Sequence, residues 1–250
     1  MTNRPDEQGD VMREMETAPP MRVRSLVLIT PILQGFVPSL PVLRYVERLQ
    51  AVLHGSSDGK DTGPTVLDLI DSVHFAQWSI LDGGERLLFV SMFVGELEPY
   101  LKDFSVRMAW GLDLVWMHCE GYPGAAQFEP FVAWVKRHMV QADRFYAANP
   151  DVTVVDVRWW RALHAHFEAF RREARCGGEL GARFAELERG IARLSAVDVG
   201  AERRLLVSIA ENVRASIREL REKRLFAPAE LEPIERNFEQ VMAALSGETS

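Results

Sequence analysis

The strongest constraint on this chain is a pair of apolar runs joined by a tight turn. Val73–Asp82 (VHFAQWSILD) alternates, placing His74, Ala76, Trp78 and Ile80 on one side and Phe75, Gln77, Ser79 and Leu81 on the other. Asp82-Gly83-Gly84-Glu85 follows, and glycines accept the positive φ that a hairpin turn demands. Arg86–Val94 (RLLFVSMFV) is the returning strand. It is apolar on both faces, which predicts a central position in a sheet.

The rest of the chain is arranged around that hairpin. Arg24–Pro31 (RSLVLITP) is a short β-branched run bounded by proline, a buried strand. Val37–Leu53 carries Val42, Val46, Leu49 and Leu53 at helical spacing, and Gly55–Gly63 is a polar loop. A helix is expected over Glu96–Phe104, and a fourth strand over Leu112–Cys119 with Leu112, Leu114, Trp116 and His118 on one face. The order β-α-β-β-α-β predicts an α+β protein with a ferredoxin-like antiparallel sheet, helices on one face and the other left to be covered. Beyond it Phe128–Val140 and Asp156–Arg175 predict helices, and Val152–Val155 a short fifth strand. Three amphipathic stretches follow at Glu179–Ala196, Ala201–Lys223 and Pro228–Leu245. From them Phe184, Ile209, Val213, Ile217, Phe238 and Val241 are expected to be buried. The expected division is a disordered leader over 1–21, a ferredoxin-like α/β domain over 22–155 and an α-helical extension over 156–250.

Composition narrows the function classes. The net charge of −7 argues against nucleic acid, whose phosphates need a basic surface. Arg158, Arg161, Arg171, Arg172 and Arg175 cluster, but acids lie among them, which predicts a solvated helix face. Two cysteines, Cys119 and Cys176, are too few for a disulfide framework. The acidic leader has no signal-peptide core, and no run approaches a membrane span, so the expected location is cytoplasmic. P-loop, GxGxxG, HExxH, GxSxG, CxxC and EF-hand patterns are absent, which weighs against the chemistries they serve.

The candidate chemistry gathers at Leu112–Pro123 (LDLVWMHCEGYP), where an apolar run ends in His118, Cys119 and Glu120 and breaks at Gly121-Tyr122-Pro123. Reactive groups at a strand end beside a turn predict the lip of a pocket, with His118 and Glu120 as catalytic candidates. Trp78, Trp116 and Tyr122 would shape the pocket, and His74 would stand on the corresponding strand. Cys119 is expected to be a small buried thiol rather than a nucleophile. His138, late in an apolar helix, has the placement that haem ligation uses. No metal site is expected.

The order of elements over Arg24–Cys119 resembles the ferredoxin-like dimeric α/β-barrel superfamily, which includes small monooxygenases and the haem-binding chlorite dismutases and dye-decolourising peroxidases. The GxxDG loop of the last group is missing here. HFAQW, RLLFVSMF and HCEGYP are similar to segments of bacterial proteins encoded with or fused to oxidative enzymes. The resemblance implies a small-molecule or haem-binding protein related to oxidoreductases, working as a homo-oligomer. The competing expectation is a non-catalytic interaction module in which the sheet face and the C-terminal helices bury partner surface.

Overall fold

The computed structural model describes residues 22–55, 66–175, 185–190 and 199–246. The expected leader and Phe184 lie outside them. The protein is α+β, built on a three-stranded antiparallel sheet: β1 (Val23–Pro31), β4 (Val73–Leu81) and β5 (Arg86–Val94), in the order β1-β5-β4. A two-stranded ribbon, β2 (Phe36–Val37) with β3 (Leu40–Arg44), leads into helix α1 (Tyr45–His54). This ribbon replaces the first half of the helix expected over Val37–Leu53, since Pro38 and Pro41 interrupt the helical ladder.

The hairpin is as expected. Asp82, Gly83 and Gly84 all have positive φ, and Gly84 is the position that demands glycine. At φ +110° it lies so close to Val46 that an added Cβ would stand 2.9 Å from a methyl carbon. β5 is central, pairing with β1 from Val23↔Val94 to Pro31↔Arg86 and with β4 on its other side.

Leu112–Cys119 is not a fourth strand. Helix α2 (Leu97–Arg107) runs into α3 (Ala109–Trp116), and His118 and Cys119 follow in a turn. The outer edge of β1, where the fourth strand was expected, carries two isolated bridges, Ile32↔Cys119 and Leu28↔Met139. The backbone N–H of Val140 also bonds to the carbonyl of Val27. Val152 and Thr153 form no strand either, and lead into a helix.

Four helices cover one face of the sheet: α1, α2, α3 and α4 (Phe128–His138). Their Leu49, Tyr100, Leu101, Phe104, Leu112, Trp116, Phe131 and Val135 pack with Leu26, Leu28, Leu87, Phe89 and Phe93 of the strands. A second core joins α6 (Val199–Glu222) and α7 (Pro228–Ser246), with Ile209, Val213, Ile217, Leu231 and Phe238 buried as the stripes predicted and Val241 half-buried. Trp110 and Leu114 of α3 belong to this second core, whereas Leu112 and Trp116 belong to the first. A helix apolar all round has to be buried all round, and α3 is wedged between the two. The long helix α5 (Val154–Arg175) stands apart from both cores.

Candidate functional site

His118 is the centre of a buried polar cluster rather than the wall of a cavity. It lies one residue past α3, after Met117, and its backbone is pinned to the end of β1: its carbonyl accepts from Leu33 N–H, and the next-but-one N–H, of Glu120, donates to the Pro31 carbonyl. Its side chain has no exposed surface. Arg48, on α1 and 1% exposed, donates from Nε to His118 Nε2 at 2.9 Å. An arginine can only donate, so Nε2 is an acceptor and Nδ1 carries the proton, which it gives to the Val115 carbonyl at 3.0 Å. Both ring nitrogens are engaged, and the ring meets Tyr45 and Phe226 edge-on. Burial, then the neighbouring Arg48 charge, push the imidazole down to about 4.

The counter-charge comes from far along the chain. Arg48 donates through a second nitrogen to Glu230 Oε1 at 2.9 Å, and its guanidinium lies 4.5 Å from the Phe226 ring centre. Glu230 is the third residue of α7, and its Oε2 accepts from the backbone N–H of Ala227 at 2.8 Å, the reach-back of a capping box. The Ser39 hydroxyl donates to the same oxygen at 2.9 Å. Burial alone would raise this carboxyl. The bonds from Arg48, Ala227 and Ser39 outweigh burial and hold it below its ordinary value. The cluster therefore ties α1, the turn after α3, the β2–β3 ribbon and α7 together, and Arg48, Glu230 and Ser39 had no place among the sequence candidates.

The other candidates are scattered. Cys119 is buried, receives a hydrogen bond from the Thr30 hydroxyl and has its thiol pushed up to about 11 by burial, which favours the neutral thiol over the thiolate that nucleophilic attack needs. Glu120 is exposed, and its carbonyl accepts from Trp134 Nε1. Tyr122 donates to Asp113 Oδ1 at 2.7 Å, with its ring edge-on to Trp134, and burial holds its hydroxyl well above the ordinary value. His138 ends α4 with Nδ1 bonded to the Trp134 carbonyl and its ring against Trp134. His74 sits at the register break of β4, half-buried.

Trp78 and Trp116 do meet, with ring centres 6.4 Å apart and Phe89 between them, but on the covered face of the sheet. Beside Trp116 is a cavity of about 20 Å³ lined by aliphatic side chains and by the rings of Phe89, Tyr100, Phe104, Trp116, Phe131 and Trp134, with the Tyr100 hydroxyl bonded to Ser91. The indole N–H groups of Trp78 and Trp116 are buried without partners. Larger clefts, of about 680 and 520 Å³, share Ser72, Val94 and Asp103 at the opposite end of the sheet from His118. None of the histidine candidates, His74, His118 or His138, lines them. His138, the haem-ligand candidate, lines neither the cavity near Trp116 nor the larger clefts, and both ring nitrogens of His118 are already bonded. Among the described residues no three His, Cys, Asp or Glu side chains gather as a metal site, and no helix is long and apolar enough to cross a membrane. No family model, no curated protein and no solved structure matches the chain.

Proposed function

We propose that this chain is a non-catalytic interaction module of ferredoxin-like type that pairs with a second copy through the open face of its sheet. One observation carries the reading. Ser25, Val27 and Ile29 of β1, Leu88, Val90 and Met92 of β5, and Phe75, Gln77 and Ser79 of β4 share the face turned away from the four helices. None of them belongs to either core, and Phe75 is 70% exposed. These nine side chains carry no charge, and the face meets its first cation at its end, where Arg86 is exposed and paired with Asp82. A two-fold interface sets a patch against itself, so an uncharged apolar patch is self-complementary, whereas a charged one would repel its copy. The burial of His118 and Cys119, with both His118 ring nitrogens bonded, supports the same reading. The order β1-β5-β4 matches three strands of a ferredoxin-like sheet, with isolated bridges from Cys119 and from Met139 on the β1 edge where a fourth would pair, and the resembling superfamily pairs in this manner.

Light scattering on the eluting protein tests the proposal. Wild type is expected at twice the chain mass and Val90→Lys at the chain mass. The lysine points away from both cores, so the variant's helical circular dichroism should be unchanged. A wild-type monomer at micromolar concentration, or a variant that stays dimeric, refutes the pairing.

The small-molecule reading keeps one supporting observation, the cavity beside the unpartnered Trp116 indole. It would take a ligand of one or two heavy atoms with an acceptor for that N–H. An absorbance spectrum of the purified protein checks the haem version directly, and the expected spectrum has no Soret band.

A further inference from the structure

We propose that α5 is a membrane-surface helix that docks this protein on anionic lipid. At roughly 100° per residue, Val155, Trp159, Phe170, Leu163, Phe167 and Trp160 fall within an arc of about 140°. Most of that arc is open: Trp160 is 51% exposed and Phe167 46%, with Val155 and Trp159 exposed beside them. The helical segment 185–190 comes against His166, which stands in the arc between Val155 and Trp159, and leaves the other edge, bearing Trp160 and Phe167, exposed. Of the seven exposed aromatic side chains among the described residues, five lie between Phe145 and Phe167.

The opposite arc holds Arg158, Arg161 and Arg172, while Arg171 borders the apolar arc beside Trp160. Arg158 is paired with Asp71 and Arg171 with Glu168, while Arg161 and Arg172 are exposed. From Lys136 to Arg172 there are seven basic and four acidic side chains, a local +3 in a chain of net −7. Asp156, which falls within the apolar arc, is turned to the helix start, where its Oδ2 accepts from both the N–H and the hydroxyl of Thr153.

Segregation of the two arcs decides the partner. A helix with Trp and Phe on one side and Arg on the other lies in the lipid interface, its rings at headgroup depth and its guanidiniums reaching up to the phosphates. A nucleic-acid surface interleaves its stacking rings with its cations on one face, because base and phosphate come together. A second copy's α5 would cover the rings and leave the arginines opposite them without a counter-charge. An anionic bilayer answers both the rings and the charge, and the surface is separate from the sheet face.

Vesicle flotation with the full chain tests this, using phosphatidylcholine vesicles and vesicles of equal parts phosphatidylcholine and phosphatidylglycerol. Wild type is expected to float with the anionic vesicles at least tenfold more than with the neutral ones, with a blue shift of tryptophan emission. Trp160→Ser with Phe167→Ser should lose at least tenfold of that binding. Arg161→Glu with Arg172→Glu should abolish the preference for anionic lipid. All four sites are exposed, so unchanged thermal melts are expected and confirm that folding is intact. Absence of anionic-vesicle binding, or variants that bind as wild type does, overturns the proposal. So does binding of a single-stranded oligonucleotide without vesicle binding, and so does a drop from dimer to monomer in Trp160→Ser with Phe167→Ser.

Discussion

His118 shows how a residue type suited to chemistry becomes structural when its surroundings use every polar atom. Its ring accepts from one side and donates from the other, and the cation beside it makes a second positive charge costly. An unfolded histidine takes up a proton near pH 6.5, whereas the folded one does so only near pH 4. Between those values the unfolded state binds more protons, so stability falls as pH falls. The loss should reach about 2 kcal/mol by pH 5 at 1.36 kcal/mol per unit. His118→Gln can still accept from Arg48 but cannot charge, so its stability should change less between pH 6.5 and 5. Urea unfolding at several pH values checks this, and equal slopes in wild type and variant would contradict it.

At the scale of elements, the clasp between α1 and α7 should behave as a unit. Glu230→Ala leaves Arg48 buried beside a neutral histidine, and should cost on the order of 3 kcal/mol. Adding Arg48→Leu should recover much of that loss, because the charge left without a partner goes with it. A double-mutant cycle by chemical denaturation measures the coupling, and additive losses would argue against it. Neither partner was visible in the sequence. They are 182 residues apart, and Arg48 sits next to Leu49 in a helical stripe where a charged residue is ordinarily taken to face water. The strands were legible, since β1, β4 and β5 are β-branched or alternating and the Asp82–Glu85 turn fixes their pairing. Helix α3 was not. Leu112, Leu114, Trp116 and His118 alternate as a strand would, but that spacing equally suits a helix with residues 112 and 116 in one core and 110 and 114 in the other. A short apolar run carries no period that distinguishes the two.

For the molecule as a whole, the proposed pairing through the sheet would make stability depend on concentration. The melting temperature of wild type should rise with protein concentration, and that of Val90→Lys should not. Scanning calorimetry across a hundredfold range of concentration reads the difference, and a wild-type value independent of concentration would count against the pairing. The wedged position of α3 has a consequence for synthesis in the cell. At about 5–20 residues per second, the ribosome needs roughly ten to forty seconds to travel from Arg48 to Glu230. During that interval the nascent α/β part holds a guanidinium without its counter-ion and an indole, Trp110, without its cover. The side of α3 that α7 will occupy stays a sticky, half-finished surface until α7 leaves the exit tunnel, and a holding chaperone would find its substrate there.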